Sequence, residues 1–185
     1  MTTYKHPVQK RVFPFGRNVG MSNIGADVVK ETARFSLSPV SWVKLVYDFT
    51  VDGAIAATSG RVPLRLEGSD EQFILPAGFQ ITTAFYRVTR TFTSATDAAA
   101  IGLGLYAVDG SGDDDAAGIV AAIAISNAAN PWDATAKVVA TIQVGTAGAA
   151  SEETTEDQYV SIINTAGEAN TAGRVIVYAE ILQLD

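Results

Sequence analysis

Hydrophobic residues alternate with polar ones from Trp42 onward. Val43, Leu45, Tyr47, Phe49 and Val51 take one parity, and Lys44, Val46, Asp48 and Thr50 take the other. A period of two predicts a strand with one buried face, and Asp52-Gly53 then signals a turn. The strongest run is Gln80–Thr93, dense in Thr, Phe, Tyr and Val, residue types that suit a pleated surface. Within it Ala84, Tyr86, Val88 and Phe92 share one face, while Thr83, Phe85, Arg87, Thr89 and Thr91 share the other. Strict alternation puts Arg87 and Arg90 on opposite faces. Ala98–Val108 sets Ile101, Leu103, Leu105 and Ala107 on one side; Gly102 and Gly104 leave room for another sheet or chain to approach. In Arg174–Leu184, Val175, Val177, Ala179 and Ile181 alternate with Ile176, Tyr178, Glu180 and Leu182.

Shorter runs fill the intervals. Arg61–Leu66 reads as a short strand, with Pro63 marking an edge or a bulge. Gln72–Leu75 is extended and Pro76-Ala77-Gly78 turns the chain. Ile119–Ile125 suits a strand or a short helix, and Asn130–Asp133 suits a loop. Lys137–Val144 and Tyr159–Asn164 read as strands around a low-complexity surface loop, Gly145–Asp157. Thr171-Ala172-Gly173 reads as a turn into the last strand. About eight strands, with no helix of ordinary length, predict an all-β fold: a jelly-roll-like β-sandwich. Residues 1–23 show no sustained period and contain Pro7, Pro14, Gly16 and Gly20, the pattern of an extended arm; 24–33 suits one or two helical turns. The organisation predicted is an extended N-terminal arm over 1–41 and a β-sandwich body over 42–185.

Charge sharpens this division. Residues 1–48 hold seven Lys/Arg against three acids, a balance of +4; residues 49–185 hold the other six bases and seventeen acids, a balance of −11. An acidic body disfavours general nucleic-acid binding. A basic arm on an acidic body suits reaching across another protein surface. Val12, Phe13 and Phe15 are apolar and call for a partner surface. Lys5, Lys10, Arg11, Val12, Phe13, Phe15 and Arg17 are therefore the candidate partner-binding residues.

Candidate chemistry is sparse. The chain has no cysteine and one histidine, His6, so disulfides, cysteine-based metal sites and histidine triads have no residues to build on. The absence of cysteine fits assembly in a reducing cytoplasm. No apolar stretch approaches the roughly 18–20 residues needed to span a bilayer, and the first residues lack a secretory apolar core. The loop DGSGDDD at 109–115 resembles a calcium loop superficially. Counted from Asp109, its sixth position is Asp114 and its twelfth Val120, where an EF-hand needs Gly and Glu. A solvated turn between hydrophobic strands accounts for it, although a non-standard divalent site stays open. The acidic pairs Asp70/Glu71, Glu152/Glu153 and Glu156/Asp157 lie in polar runs, whereas a catalytic carboxyl needs an apolar setting. No catalytic, cofactor or metal residue is assigned.

Residues 75–105, LPAGFQITTAFYRVTRTFTSATDAAAIGLGL, are followed by GDDDAAGIVAAIA, by Asn130-Pro131-Trp132-Asp133 and by NTAGRVIVYAEIL at 170–182. In that order they resemble the core of tailed-phage virion structural proteins of the capsid decoration and head-fibre type. The resemblance covers roughly residues 70–185 and leaves 1–50 outside it. It implies a non-enzymatic particle component, made in the host cytoplasm and placed on the outer surface of the capsid. A decoration (cement) protein of this kind would form trimers and bridge major capsid subunits through its arm. Two alternatives stay open: a receptor-binding or fibre module, with Trp132 and Tyr106 as glycan-facing aromatics, and a jelly-roll shell-forming capsid protein whose arm faces the genome.

Overall fold

A strand buries one face, so two sheets that face each other bury one face of each. The computed structural model describes residues 40–110, 115–127, 129–133, 137–139 and 153–184. In chain order they form β1 (Val40–Asp48), α1 (Phe49–Asp52), β2 (Gly60–Pro63), β3 (Arg65–Leu66), β4 (Ile74–Leu75), β5 (Phe79–Ser94), β6 (Ala100–Ala107), β7 (Asp115–Ala124), β8 (Lys137–Val139), β9 (Gln158–Asn164) and β10 (Asn170–Gln183). The first sheet has the order β3-β1-β10-β5-β8; the second has the order β2-β9-β6-β7, with β4 also on the β9 edge.

All the pairings are antiparallel, and they nest. β1 pairs with β10, β2 with β9, β5 with β8 and β6 with β7. The first half of the chain thus pairs with the second half in reverse order. The doubled ribbon then rolls up, so that β10 lies beside β5 and β9 beside β6. This is the jelly-roll β-sandwich.

The predicted parities fill the space between the sheets. Val43, Leu45 and Tyr47 from β1, Val175, Val177, Ala179 and Ile181 from β10, and Tyr86, Val88 and Phe92 from β5 meet Ile101, Leu103 and Leu105 from β6 and Val160 and Ile162 from β9. Trp132 enters from the 129–133 loop, fully buried, stacking on Tyr86 at 4.8 Å and edge-on to Phe92 at 5.5 Å. Burial pushes the Tyr86 hydroxyl up to about 12. Two asparagines tie the strand ends. Asn170 accepts from Ile55 N at 2.6 Å and donates to Tyr47 Oη at 2.8 Å; Asn164 accepts from Ala100 N at 3.1 Å and donates to the Glu168 carbonyl.

Several local expectations are corrected. The first strand stops at Asp48, and Phe49 and Val51 lie in α1, with Val51 63% exposed. Asp48 is the reason: its carboxylate caps α1 by accepting from Thr50 N at 3.0 Å. The run Arg61–Leu66 divides between sheets, because the chain crosses from β2 in the second sheet to β3 in the first at Pro63-Leu64. Of the two readings of Ile119–Ile125 the strand holds, since residues 119–124 lie in β7 and Ile125 follows it in a turn. Thr171-Ala172-Gly173 lies inside β10, at register shifts against β5. The proposed helical turns at 24–33 and most of Lys137–Val144 and Gly145–Asp157 lie outside the described residues.

Gly173 has φ +143, and a Cβ there would overlap the Phe92 ring. Gly173→Ala is expected to cost about 2 kcal/mol through overpacking and backbone strain, read as a lower urea midpoint with an unchanged slope.

A second expectation concerns acid. The turn after β5 carries Asp97 at φ +58 and is held by the Glu168 carboxylate. That carboxylate accepts from Thr96 Oγ1 at 2.6 Å, Thr96 N at 3.0 Å, Ser94 Oγ at 2.8 Å and Ala98 N at 3.3 Å. The Thr96 hydroxyl first, then these amides and the Ser94 hydroxyl, lower Glu168 to about 2. A lowered carboxyl stabilises the fold above its unfolded value, and that stability is lost as pH falls toward 2. Glu168→Gln should therefore be less stable than wild type at pH 7, with the gap closing between pH 5 and pH 2 in acid-unfolding curves.

Candidate docking face

The outer face of the first sheet takes the residues that the core leaves behind. Trp42, Lys44, Val46 and Asp48 of β1 lie beside Glu180, Tyr178, Ile176 and Arg174 of β10. The next strand adds Thr83, Phe85, Arg87 and Arg90 opposite those same β10 residues. The register lines up an aromatic cluster: Phe85 stacks on Tyr178 at 4.9 Å, Trp42 tilts against Phe85 at 5.5 Å, and Lys44 Nζ stands 5.5 Å from the Tyr178 ring centre. Lys44 also pairs with Glu67, which raises its pKa. Val46 and Ile176 are buried beneath these side chains' row.

Arg90 does not lie opposite Arg87 as alternation predicts. Val88 pairs with Val175 and Arg90 with Arg174, so Thr89 is an extra residue in β5. The bulge resets the alternation and brings Arg90 to the outer face. There Asp48 meets Arg174 at 3.2 Å and Arg90 at 3.6 Å. Burial alone would raise the Asp48 carboxyl, but the Thr50 hydrogen bonds and the two guanidinium groups outweigh it and hold the pKa below the usual range. Asp52 extends the network: it accepts from Asp48 N at 2.7 Å and takes Arg65 in a two-point contact at 2.5 and 3.2 Å. Five of the seven Lys/Arg in residues 40–185 (Lys44, Arg65, Arg87, Arg90 and Arg174) occur on this face or its rim.

The second sheet has a different exterior. Gly102 and Gly104 face outward, where the backbone of β7 lies over them: a Cβ at 102 would stand 2.7 Å from the Val120 carbonyl, and one at 104 would overlap the Asp115 carbonyl. The close approach that these glycines permit is made by a neighbouring strand of the same chain. Beside them is an open hollow of about 330 Å³ lined by Arg61, Pro63, Tyr106, Val108, Tyr159 and Ser161. Arg61 covers the Tyr106 ring at 4.5 Å.

The sequence-derived candidates fall as follows. Lys5, Lys10, Arg11, Val12, Phe13, Phe15 and Arg17 lie outside the described residues, as do Asp113 and Asp114. Asp115 opens β7 and accepts from Ala117 N at 2.9 Å. Among the described residues no three acidic or histidine side chains converge on a common point. Trp132 is sealed in the core and offers no surface to a glycan. The outer-face cluster of Trp42, Phe85 and Tyr178 was missed in sequence because each residue sits on a different strand; its signal was the large apolar residues at polar-parity positions.

This chain shares its fold with a chain in the capsid of Ralstonia phage GP4. The TM-score is 0.50 at 15% identity, over 79% of this chain and 85% of that one. Weaker likenesses join it to chains in the acidic stable capsid of Helicobacter pylori bacteriophage KHP30 (TM-score 0.45, 10% identity, 77% and 86% covered) and the cyanophage Pam1 capsid (0.47, 16%, 79% and 85%). No family model matches the chain, and no curated protein matches it in sequence.

Asp48→Asn should remove charge from two ion pairs while leaving an oxygen that can still cap α1. A loss of about 1 kcal/mol is expected at pH 7, shrinking as pH falls below the usual carboxylate range; urea melts at pH 7 and pH 3 measure both.

Proposed function

We propose that this chain is a non-enzymatic capsid decoration (cement) protein of a bacteriophage, set on the outer surface of the head. The observation that carries the reading is the jelly roll held in common with a chain of the Ralstonia phage GP4 capsid. The acidic body and the basic arm support it, as does a residue inventory with no cysteine and one histidine. The body forms a trimer at a local three-fold position, and the arm, the residues that precede β1 at Val40, extends over neighbouring major capsid subunits. Packed DNA pushes those subunits apart. A trimer holding three of them adds binding energy that opposes separation, and three linked attachments far exceed the affinity of one. In the arm Phe13 and Phe15 supply apolar anchors, and Lys5, Lys10, Arg11 and Arg17 supply charge.

A shell-forming role is the second reading, since jelly rolls also build viral shells. The two readings differ in a simple experiment. Heads lacking the protein should form but lose DNA at a lower temperature, and adding the purified chain should restore heat resistance. Phe13→Ser with Phe15→Ser should weaken that restoration about tenfold or more in half-saturating concentration. Heads of equal heat resistance with and without the chain overturn the cement reading; closed shells assembled from the chain alone support the second.

A further inference from the structure

The outer face of the first sheet combines the residue types that dominate protein contacts, Trp, Tyr and Arg. Trp42, Phe85 and Tyr178 form one cluster, and Arg87 and Arg90 flank it on β5. Arg87 is exposed and makes no ion pair among the described residues. The other end of the charge distribution is equally localised. Acidic residues are brought to one end of the second sheet by backbone contacts: Val108, which precedes Asp109, donates from N to the Asp157 carbonyl at 3.0 Å, Ala77 N donates to the Asp157 carboxylate at 3.0 Å, and Gly78 N donates at 2.7 Å to the carbonyl of Thr154, which follows Glu153; Glu156 adjoins Asp157 in the chain. One chain therefore carries an aromatic face flanked by arginines and, elsewhere, an acidic end that complements it.

The geometry points to a contact between copies in which the aromatic and arginine face of one subunit receives the acidic end of the next. The occupant is a second copy of this chain. Because the two surfaces differ, the contact is head-to-tail, and such contacts close into rings when the rotation allows. This inference rests on the trimer in the proposed function and assigns the surface that forms it. Charge complementarity sets the register, and the aromatic cluster loses water as the subunits meet.

The test is the assembly state of the full chain by analytical ultracentrifugation, with intrinsic fluorescence followed on dilution. Trp132 is sealed in the core, so a concentration-dependent emission shift reports Trp42. Wild type should form trimers, with a red shift as they dissociate. Arg87→Glu on the face and, separately, Glu153→Lys at the acidic end should each raise the dissociation constant about tenfold or more, with thermal melting of the dilute subunit unchanged. Both residues are exposed, so the fold tolerates both changes. Trimers unaffected by Arg87→Glu overturn the inference. So do trimers weakened by Arg87→Glu but untouched by Glu153→Lys, because the occupant is then another surface. Binding of each variant to heads lacking the protein separates the readings. A trimeric Arg87→Glu variant that no longer binds heads assigns the face to the shell, which overturns this inference and leaves the decoration reading standing. A wild-type chain that stays monomeric yet restores heat resistance does the same.

Discussion

The pairing of β5 with β10 is the constraint on which the rest of the structure depends. These are the two longest strands, they run side by side in the middle of the first sheet, and they are paired from Phe79 to Ser94 and from Gln183 to Asn170. One face of the pair supplies much of the apolar wall that the second sheet closes. The other carries the aromatic cluster. The pairing is also irregular in a productive way. The extra residue at Thr89 turns Arg90 outward to Asp48, and the shift near Gly173 lets the Phe92 ring lie against bare backbone. Phe92 in turn touches Trp132 and Tyr47, so the same distortion seats the centre of the core.

Polar groups finish what the apolar core begins. Strands that alternate between sheets leave loose ends at every crossing, and buried backbone groups there need partners. Asn164, Asn170, Thr154 and Glu168 supply them. Thr154 alone bridges the Pro76 carbonyl at 2.6 Å and the Phe79 carbonyl at 3.0 Å. These side chains hold the corners of the sandwich, which leaves the flat exteriors of the two sheets to differ. One is smoothed by the glycines under β7. The other keeps large aromatic and cationic side chains in view, the kind of surface that a protein partner covers.

Much of this was legible in the chain. The alternation in β1, β5, β6 and β10 gave the inner faces residue by residue, because a period of two reports directly which side of a sheet is dry. The division into a basic leading segment and an acidic remainder was equally plain. Local alternation failed where a residue was added or a cap intervened. No count of hydrophobic residues shows that Thr89 is unpaired, and nothing in DFTVD forces the strand to end until Asp48 is seen capping Thr50.

The sequence by itself determined that this chain is a β-sandwich with a basic leading segment and an acidic remainder, since strand periodicity and residue inventory are local properties. Only the tertiary structure decided the strand order, because nested pairing joins residues more than a hundred positions apart, such as Val40 with Leu182. It also decided that Trp42, Phe85 and Tyr178 meet and that five scattered bases share one face. Those neighbours come from three or more strands, and adjacency across a sheet is set by pairing, which the order of residues along the chain does not contain.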